Sequence, residues 1–156
     1  MIKSSHTANL IEVGCDEAGR GSLAGPVVSC SVIFPKKIKI KEINDSKLLS
    51  IYKRIKIEKI IKEKAIDYSF GIANVEEIDK INILNASILS MHRSLSQIKN
   101  DFDLILVDGN RFKNYKDKKH ICIVKGDSKY VSIAAASILA KNFRDRLMIE
   151  LSKIYD

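Results

Sequence analysis

The chain has 156 residues, 46% of them hydrophobic, with a formal net charge of +8 and only 7 Gly and 2 Pro. This fits one domain with a real core and argues against long disordered linkers. Cys15, Cys30 and Cys122 form no C-x-x-C pair, and the sequence has neither an apolar leader nor a run of membrane-spanning length. Disulfide-framework, zinc-site and membrane-spanning classes are thereby disfavoured, and a soluble cytoplasmic protein is expected.

In chain order, Leu10 to Val13 and Val27 to Phe34 read as strands, joined by a Gly-rich turn, with Pro35 closing the second. Asp45-Ser46 signals a helix N-cap, predicting a helix from Lys47 to about Lys64. Tyr68 to Val75 reads as a third strand, with Gly71 as a bulge. Ile78, Ile81, Leu84, Ile88, Met91, Leu95 and Ile98 trace one apolar face, predicting a single helix capped by Asn74. Glu76, Glu77 and Asp79 complement the positive end of its dipole. Leu104 to Val107 and Ile121 to Val124 read as strands, the first without polar alternation, as expected when both faces are buried. A last helix runs from about Val131 towards Ile154, with Ala134, Ala135, Ala136 and Ala140 permitting close packing. Alternating strands and helices predict an α/β architecture with a central mixed sheet.

Three strand ends carry acids: Asp16-Glu17, Asp108 and Asp127. Taken singly, Asp108-Gly109 reads as a turn and Asp127 as a helix cap. Taken together, at equivalent strand ends of an open α/β sheet, they read as a site. Clustered carboxylates repel, and oxygen-only ligands favour Mg²⁺ or Mn²⁺ over zinc. Two such ions about 4 Å apart would clamp an in-line phosphoryl displacement. Neighbouring residues of a regular strand point to opposite faces. Asp16 and Glu17 are therefore expected to converge only if the strand breaks, with Gly14, Gly19 and Gly21 supplying the freedom. The basic balance, with a pI of about 9.4, suits an acidic partner such as nucleic acid. A general Lys and Ile bias explains it equally well.

The motifs DEAGRGSLAGPVV at 16–28, NDSKLLS at 44–50, IDKINILNASILSM at 78–91, LILVDGNRF at 104–112 and KGDSKYVSIAAASILAKNFRD at 125–145 follow one another in a set order. In this the chain resembles ribonuclease HII, the bacterial type 2 ribonuclease H, from about Val13 to Met148. The resemblance implies the ribonuclease H-like fold, a central mixed sheet flanked by helices. It implies that Asp16, Glu17, Asp108 and Asp127 are the catalytic, metal-binding acids, with Mg²⁺ or Mn²⁺ as cofactor. Gly19-Arg20-Gly21 matches the family's backbone sensor of the ribose 2′-hydroxyl. Ser46 and Lys47, with Asn110, Lys125 and Lys141 as further candidates, would hold the phosphate backbone. The implied reaction is hydrolysis of RNA in RNA·DNA hybrids and 5′ of ribonucleotides embedded in duplex DNA, leaving 3′-hydroxyl and 5′-phosphate ends.

Ser22 stands where many members carry proline, and the family's lysine-glycine-tyrosine motif, which follows a proline-containing turn, has no match. Tyr155 falls earlier and does not inherit the role of that junction-sensing tyrosine. The expectation is a single, monomeric catalytic domain over 1–156 that is short of the family's C-terminal helical segment. An alternative keeps the fold as a nucleic-acid-binding remnant impaired in turnover. A generic two-metal nuclease explains the acids but not the GRG turn or the NDSKLLS segment.

Overall fold

The computed structural model describes residues 2–21, 24–43 and 49–154. Its strands are β1 (Glu12–Ala18), β2 (Val27–Ile33), β3 (Asp67–Ala73), β4 (Leu104–Asp108) and β5 (Lys119–Ile123). Its α-helices are α1 (Ile51–Lys64), α2 (Val75–Ile81), α3 (Ile83–Ser96) and α4 (Val131–Ile154). The strands form one mixed sheet in the order β3-β2-β1-β4-β5. The β1–β2 and β2–β3 pairs are antiparallel, whereas β1–β4 and β4–β5 are parallel.

Strand β4 shows why the apolar run carries no alternation. Leu104 and Leu106 pack with Ile133 of α4, while Ile105 and Val107 pack with Met91 and Leu95 of α3. Both faces of the strand are covered, so every position is apolar. A further cluster joins Val32, Phe34, Ile57, Ile61, Ile138 and Leu139 beneath α1 and α4.

Backbone proximity sets each layer. A Cβ on Gly14 would lie 2.5 Å from the Ser132 carbonyl carbon, so α4 rests directly on β1. The alanines predicted to allow this approach, Ala134, Ala135, Ala136 and Ala140, are fully buried. On the opposite face the seam is polar: Ser29 pairs with Ser90, and Ser31 with Ser94 at 2.6 Å. Cys15 Sγ lies 3.0 Å from Ser31 Oγ, and burial pushes its thiol up to about 12. Cys15, Cys30 and Cys122 are all free.

Several predicted boundaries move. The first strand begins at Glu12 and runs through both acids to Ala18, rather than ending at Val13. Helix α1 starts at Ile51, where Ser50 accepts a hydrogen bond from the Lys53 amide; the anticipated Asp45-Ser46 cap lies outside the described residues. Gly71 is no bulge, because β3 stays in register with β2 across it. A side chain there would instead collide with the backbone of Ser90 and Ser94 in α3. The predicted single helix over 78–98 is two, divided at Asn82, whose φ is +71°. Asn74 does cap the first, in a reciprocal capping box with Glu77, and Asn82 caps the second through the Asn85 amide. Among the described residues, no helix is long and apolar enough to cross a membrane.

Candidate active site

The acids gather where β1 and β4 run side by side towards the same end of the sheet. Cys15 is registered opposite Val107, so the next residues, Asp16 and Asp108, stand level on the α4 face. Asp16 is only 5% exposed. Burial, reinforced by the charges of Glu17 and Asp108, drives its carboxyl well above the usual range.

Glu17 reaches the same place without the strand break anticipated from sequence. The β1–β2 ladder continues unbroken through Asp16↔Cys30 and Glu17↔Ser29 to Ala18↔Val28. The registered β1–β4 pairing, by contrast, stops at Cys15↔Val107. Beyond that level no further β1–β4 pair is registered among the described residues, and the longer Glu17 side chain engages Asp16 and senses the charge of Asp108. The Glu17 amide also donates to Asp16 Oδ1 at 2.8 Å. Burial raises the Glu17 carboxyl as well. Its buried Oε2 has no hydrogen-bond partner among the described residues, while Oε1 lies 3.9 Å from the guanidinium of Arg20.

Asp127 arrives from the 3-10 turn Gly126–Ser128, which leads into α4. Its amide donates to Asp108 Oδ1 at 3.3 Å. Asp108 is raised first by burial and then by the Asp127 charge. Gly126 permits the approach, since a Cβ there would fall 2.6 Å from the Ile133 side chain and 3.4 Å from Asp108 Oδ1. Gly109 does adopt the turn conformation its sequence suggests, at φ +107°, and its amide bonds the Ile123 carbonyl at 2.9 Å. The turn reading therefore holds at Asp108-Gly109, and the Asp108 carboxylate also lies within reach of Asp16 and Asp127.

This donor set suits a hard divalent cation: oxygen atoms only, excess negative charge, and one buried carboxylate oxygen left without a partner. Among the described residues, however, no three His, Cys, Asp or Glu are drawn together as a ready cation cage. Mutual repulsion opposes such closure when nothing positive lies between the carboxylates.

The remaining predicted residues are distributed around this end. Gly19 has φ +99°, a Cβ on Gly21 would meet nothing within 4 Å among the described residues, and Arg20 is exposed between them. Asn110 and Lys125 are exposed on the segments that follow β4 and β5, and Lys141 is half-buried on α4. Ser46, Lys47 and Tyr155 lie outside the described residues. Sequence reasoning missed Arg144. Its Nε donates to the Pro26 carbonyl at 2.8 Å and its Nη2 to the Ala24 carbonyl at 2.7 Å. The only signal was its place at the tail of the 125–145 motif, where a helical arginine reads as a solvated side chain.

This sheet order, with acids at the ends of its adjacent parallel strands, defines a protein of the ribonuclease H-like class. Ribonuclease H2 from Pyrococcus horikoshii superposes with a TM-score of 0.78 at 27% identity, over 92% of this chain and 76% of that one. A ribonuclease HIII solved in complex with Mn²⁺ superposes at 0.77 over 94% of this chain and 56% of that one, where 22% identity supports the fold alone. The ribonuclease HII family model matches residues 13–155. Ribonuclease HII of Phocaeicola vulgatus is 53% identical over 94% of this chain and 73% of the relative. That of Parabacteroides distasonis is 55% identical over 93% and 73%. The chain belongs to the ribonuclease HII family and so to the metal-dependent endoribonucleases.

Proposed function

We propose that residues 1–156 act as one catalytic domain that hydrolyses the RNA strand of RNA·DNA hybrids and cuts duplex DNA 5′ of an embedded ribonucleotide. Asp16, Glu17, Asp108 and Asp127 would hold Mg²⁺ or Mn²⁺. The observation that carries this reading is the level placement of Asp16 and Asp108 on adjacent parallel strands, beside the unpartnered Oε2 of Glu17. Bound there, such ions would supply Lewis acidity towards water and the leaving oxygen, in keeping with 3′-hydroxyl and 5′-phosphate ends.

The chain's own groups do the rest. Gly19-Arg20-Gly21 presents backbone to the ribose 2′-hydroxyl, and the open space around Gly21 leaves room for that approach. Asn110, Lys125 and Lys141, with Ser46 and Lys47, neutralise and hydrogen-bond phosphates along the duplex. Because such contacts release counterions, affinity falls steeply with added salt.

The test is cleavage of a labelled DNA duplex carrying one ribonucleotide, with Mg²⁺ and with Mn²⁺. Asp16→Asn protein and an all-DNA duplex serve as controls. Metal-dependent cutting 5′ of the ribonucleotide, abolished by Asp16→Asn, supports the proposal. A second reading, duplex binding without turnover, draws on the absence of a closed cation cage among the described residues. Binding by folded protein with no cutting in either metal would favour it.

A further inference from the structure

The segment between β1 and β2 carries the Gly19-Arg20-Gly21 turn, yet one side chain from a distant part of the sequence fastens its return limb. Arg144 of α4 donates through Nε to the Pro26 carbonyl at 2.8 Å and through Nη2 to the Ala24 carbonyl at 2.7 Å. These are charge-assisted bonds from a planar, forked donor to two nearby carbonyl groups, a geometry that orients a backbone as well as tethering it.

The outgoing limb is shaped around the same side chain. A Cβ on Gly19 would collide with Arg144 Nε and lie 2.7 Å from the Pro26 carbonyl oxygen. Gly25, at φ +91°, leaves just enough room for Met148: a Cβ there would lie 2.5 Å from its Sδ, and 3.0 Å from Arg144 Nη2. Gly19 and Gly25, both at positive φ, thus leave the space that Arg144 and Met148, one turn apart on α4, occupy. Gly21 is exposed, and such a Cβ would meet no atom within 4 Å among the described residues. The same turn holds Arg20, whose guanidinium lies 3.9 Å from Glu17 Oε1.

We propose that Arg144 is a positioning residue for ribonucleotide recognition. By clamping Ala24 and Pro26 and filling the space beside Gly19, it sets the height at which the 19–21 backbone meets a 2′-hydroxyl. It touches no reacting atom. Its contribution is selectivity for a duplex with one ribose over the same duplex without it. This inference rests on the proposed function, because it gives the 19–21 backbone a ribose to read.

The experiment is a fluorescence-anisotropy titration in EDTA with two labelled duplexes that differ only in a single 2′-hydroxyl. Wild type, Arg144→Gln and Arg144→Lys are compared, with thermal midpoints recorded for each. The wild type is expected to prefer the ribonucleotide duplex. Arg144→Gln should lose roughly tenfold of that affinity, the scale of a lost hydrogen bond from a charged donor, while binding the all-DNA duplex as before. Arg144→Lys, which keeps the charge and can reach one carbonyl, should fall between them and guards against a Gln variant that fails to fold. Equal losses on both duplexes, or an unchanged preference in folded variants, would overturn the role of Arg144 alone. A wild type without any preference would overturn the ribose-sensing reading and this inference together.

Discussion

Asp108 Oδ1 accepts the backbone amide of Asp127 at 3.3 Å, tying the end of β4 to the turn that leads into α4. One carboxylate therefore serves two purposes, fixing the position of the next acid while facing Asp16. The structural role needs only an acceptor oxygen, whereas the proposed catalytic role needs the charge.

This separation makes the first prediction. Asp108→Asn, which keeps a carbonyl oxygen and removes a charge opposed by burial and by Asp127, should be at least as stable as wild type yet lose cleavage. Asp108→Ala should lose cleavage and also about 1 kcal/mol of stability, because the Asp127 amide loses its partner. Urea unfolding beside the duplex-cleavage assay distinguishes the two.

Asp16 supplies the second. Its buried carboxylate stands beside two others, so the charge opposes folding when no cation is present. Asp16→Asn should raise stability in EDTA by about 0.5–2 kcal/mol, the usual gain when a functional strain is removed. Millimolar Mn²⁺ should raise the thermal midpoint of the wild type, by preferential binding to the folded state, and leave the variant nearly unmoved. A wild-type midpoint that ignores Mn²⁺ would count against the metal assignment.

Gly14 tests the layer that carries the site. Alanine there would place a methyl group 2.5 Å from the backbone carbon and Oγ of Ser132, neither layer having space to yield. Gly14→Ala should destabilise by about 1–3 kcal/mol or more through overpacking. The Gly21→Ala substitution, at an exposed position that meets nothing among the described residues, should leave stability within about 0.5 kcal/mol of wild type. Parallel urea titrations measure both.

Acid stability should report on Glu77. Hydrogen bonds from Arg93, at 2.7 and 2.5 Å, hold its carboxyl down from the ordinary 4.5 to about 2. A carboxyl lowered on folding contributes stability above its unfolded value, and the contribution is lost as pH falls through the folded one. The thermal midpoint of wild type should therefore exceed that of Glu77→Gln at pH 6. The two should draw together between about pH 4.5 and pH 2. A constant difference across that range would show that the carboxylate charge is not involved.

Local chemistry made much of this protein legible in its sequence. The apolar run at 104–107, the capping signal at Asn74 and the small-residue face of α4 each depend on neighbours along the chain, and each took the form expected. The family was identifiable because several motifs stand in one order, and its model and curated relatives match the chain. Asn82 marks where such reasoning stopped: the apolar periodicity continues across it, while the backbone turns to φ +71° and begins a new helix. Periodicity records which faces are buried and is nearly blind to a single residue that redirects the axis.

What tertiary structure alone decided was adjacency. That Asp16 lies level with Asp108 follows from the parallel register of β1 and β4, which a pattern of apolar residues along either strand does not contain. That Glu17 joins them without a strand break follows from where the registered β1–β4 pairing stops. That Gly19 must be glycine follows from its φ of +99° and from Arg144 packed beside it, a residue 125 positions away by the numbering of the chain. The sequence determined which chemical groups were available and which local elements would carry them, because those depend on short-range sterics and burial. The fold determined which groups share a space, because register and helix docking are settled only when distant surfaces pack.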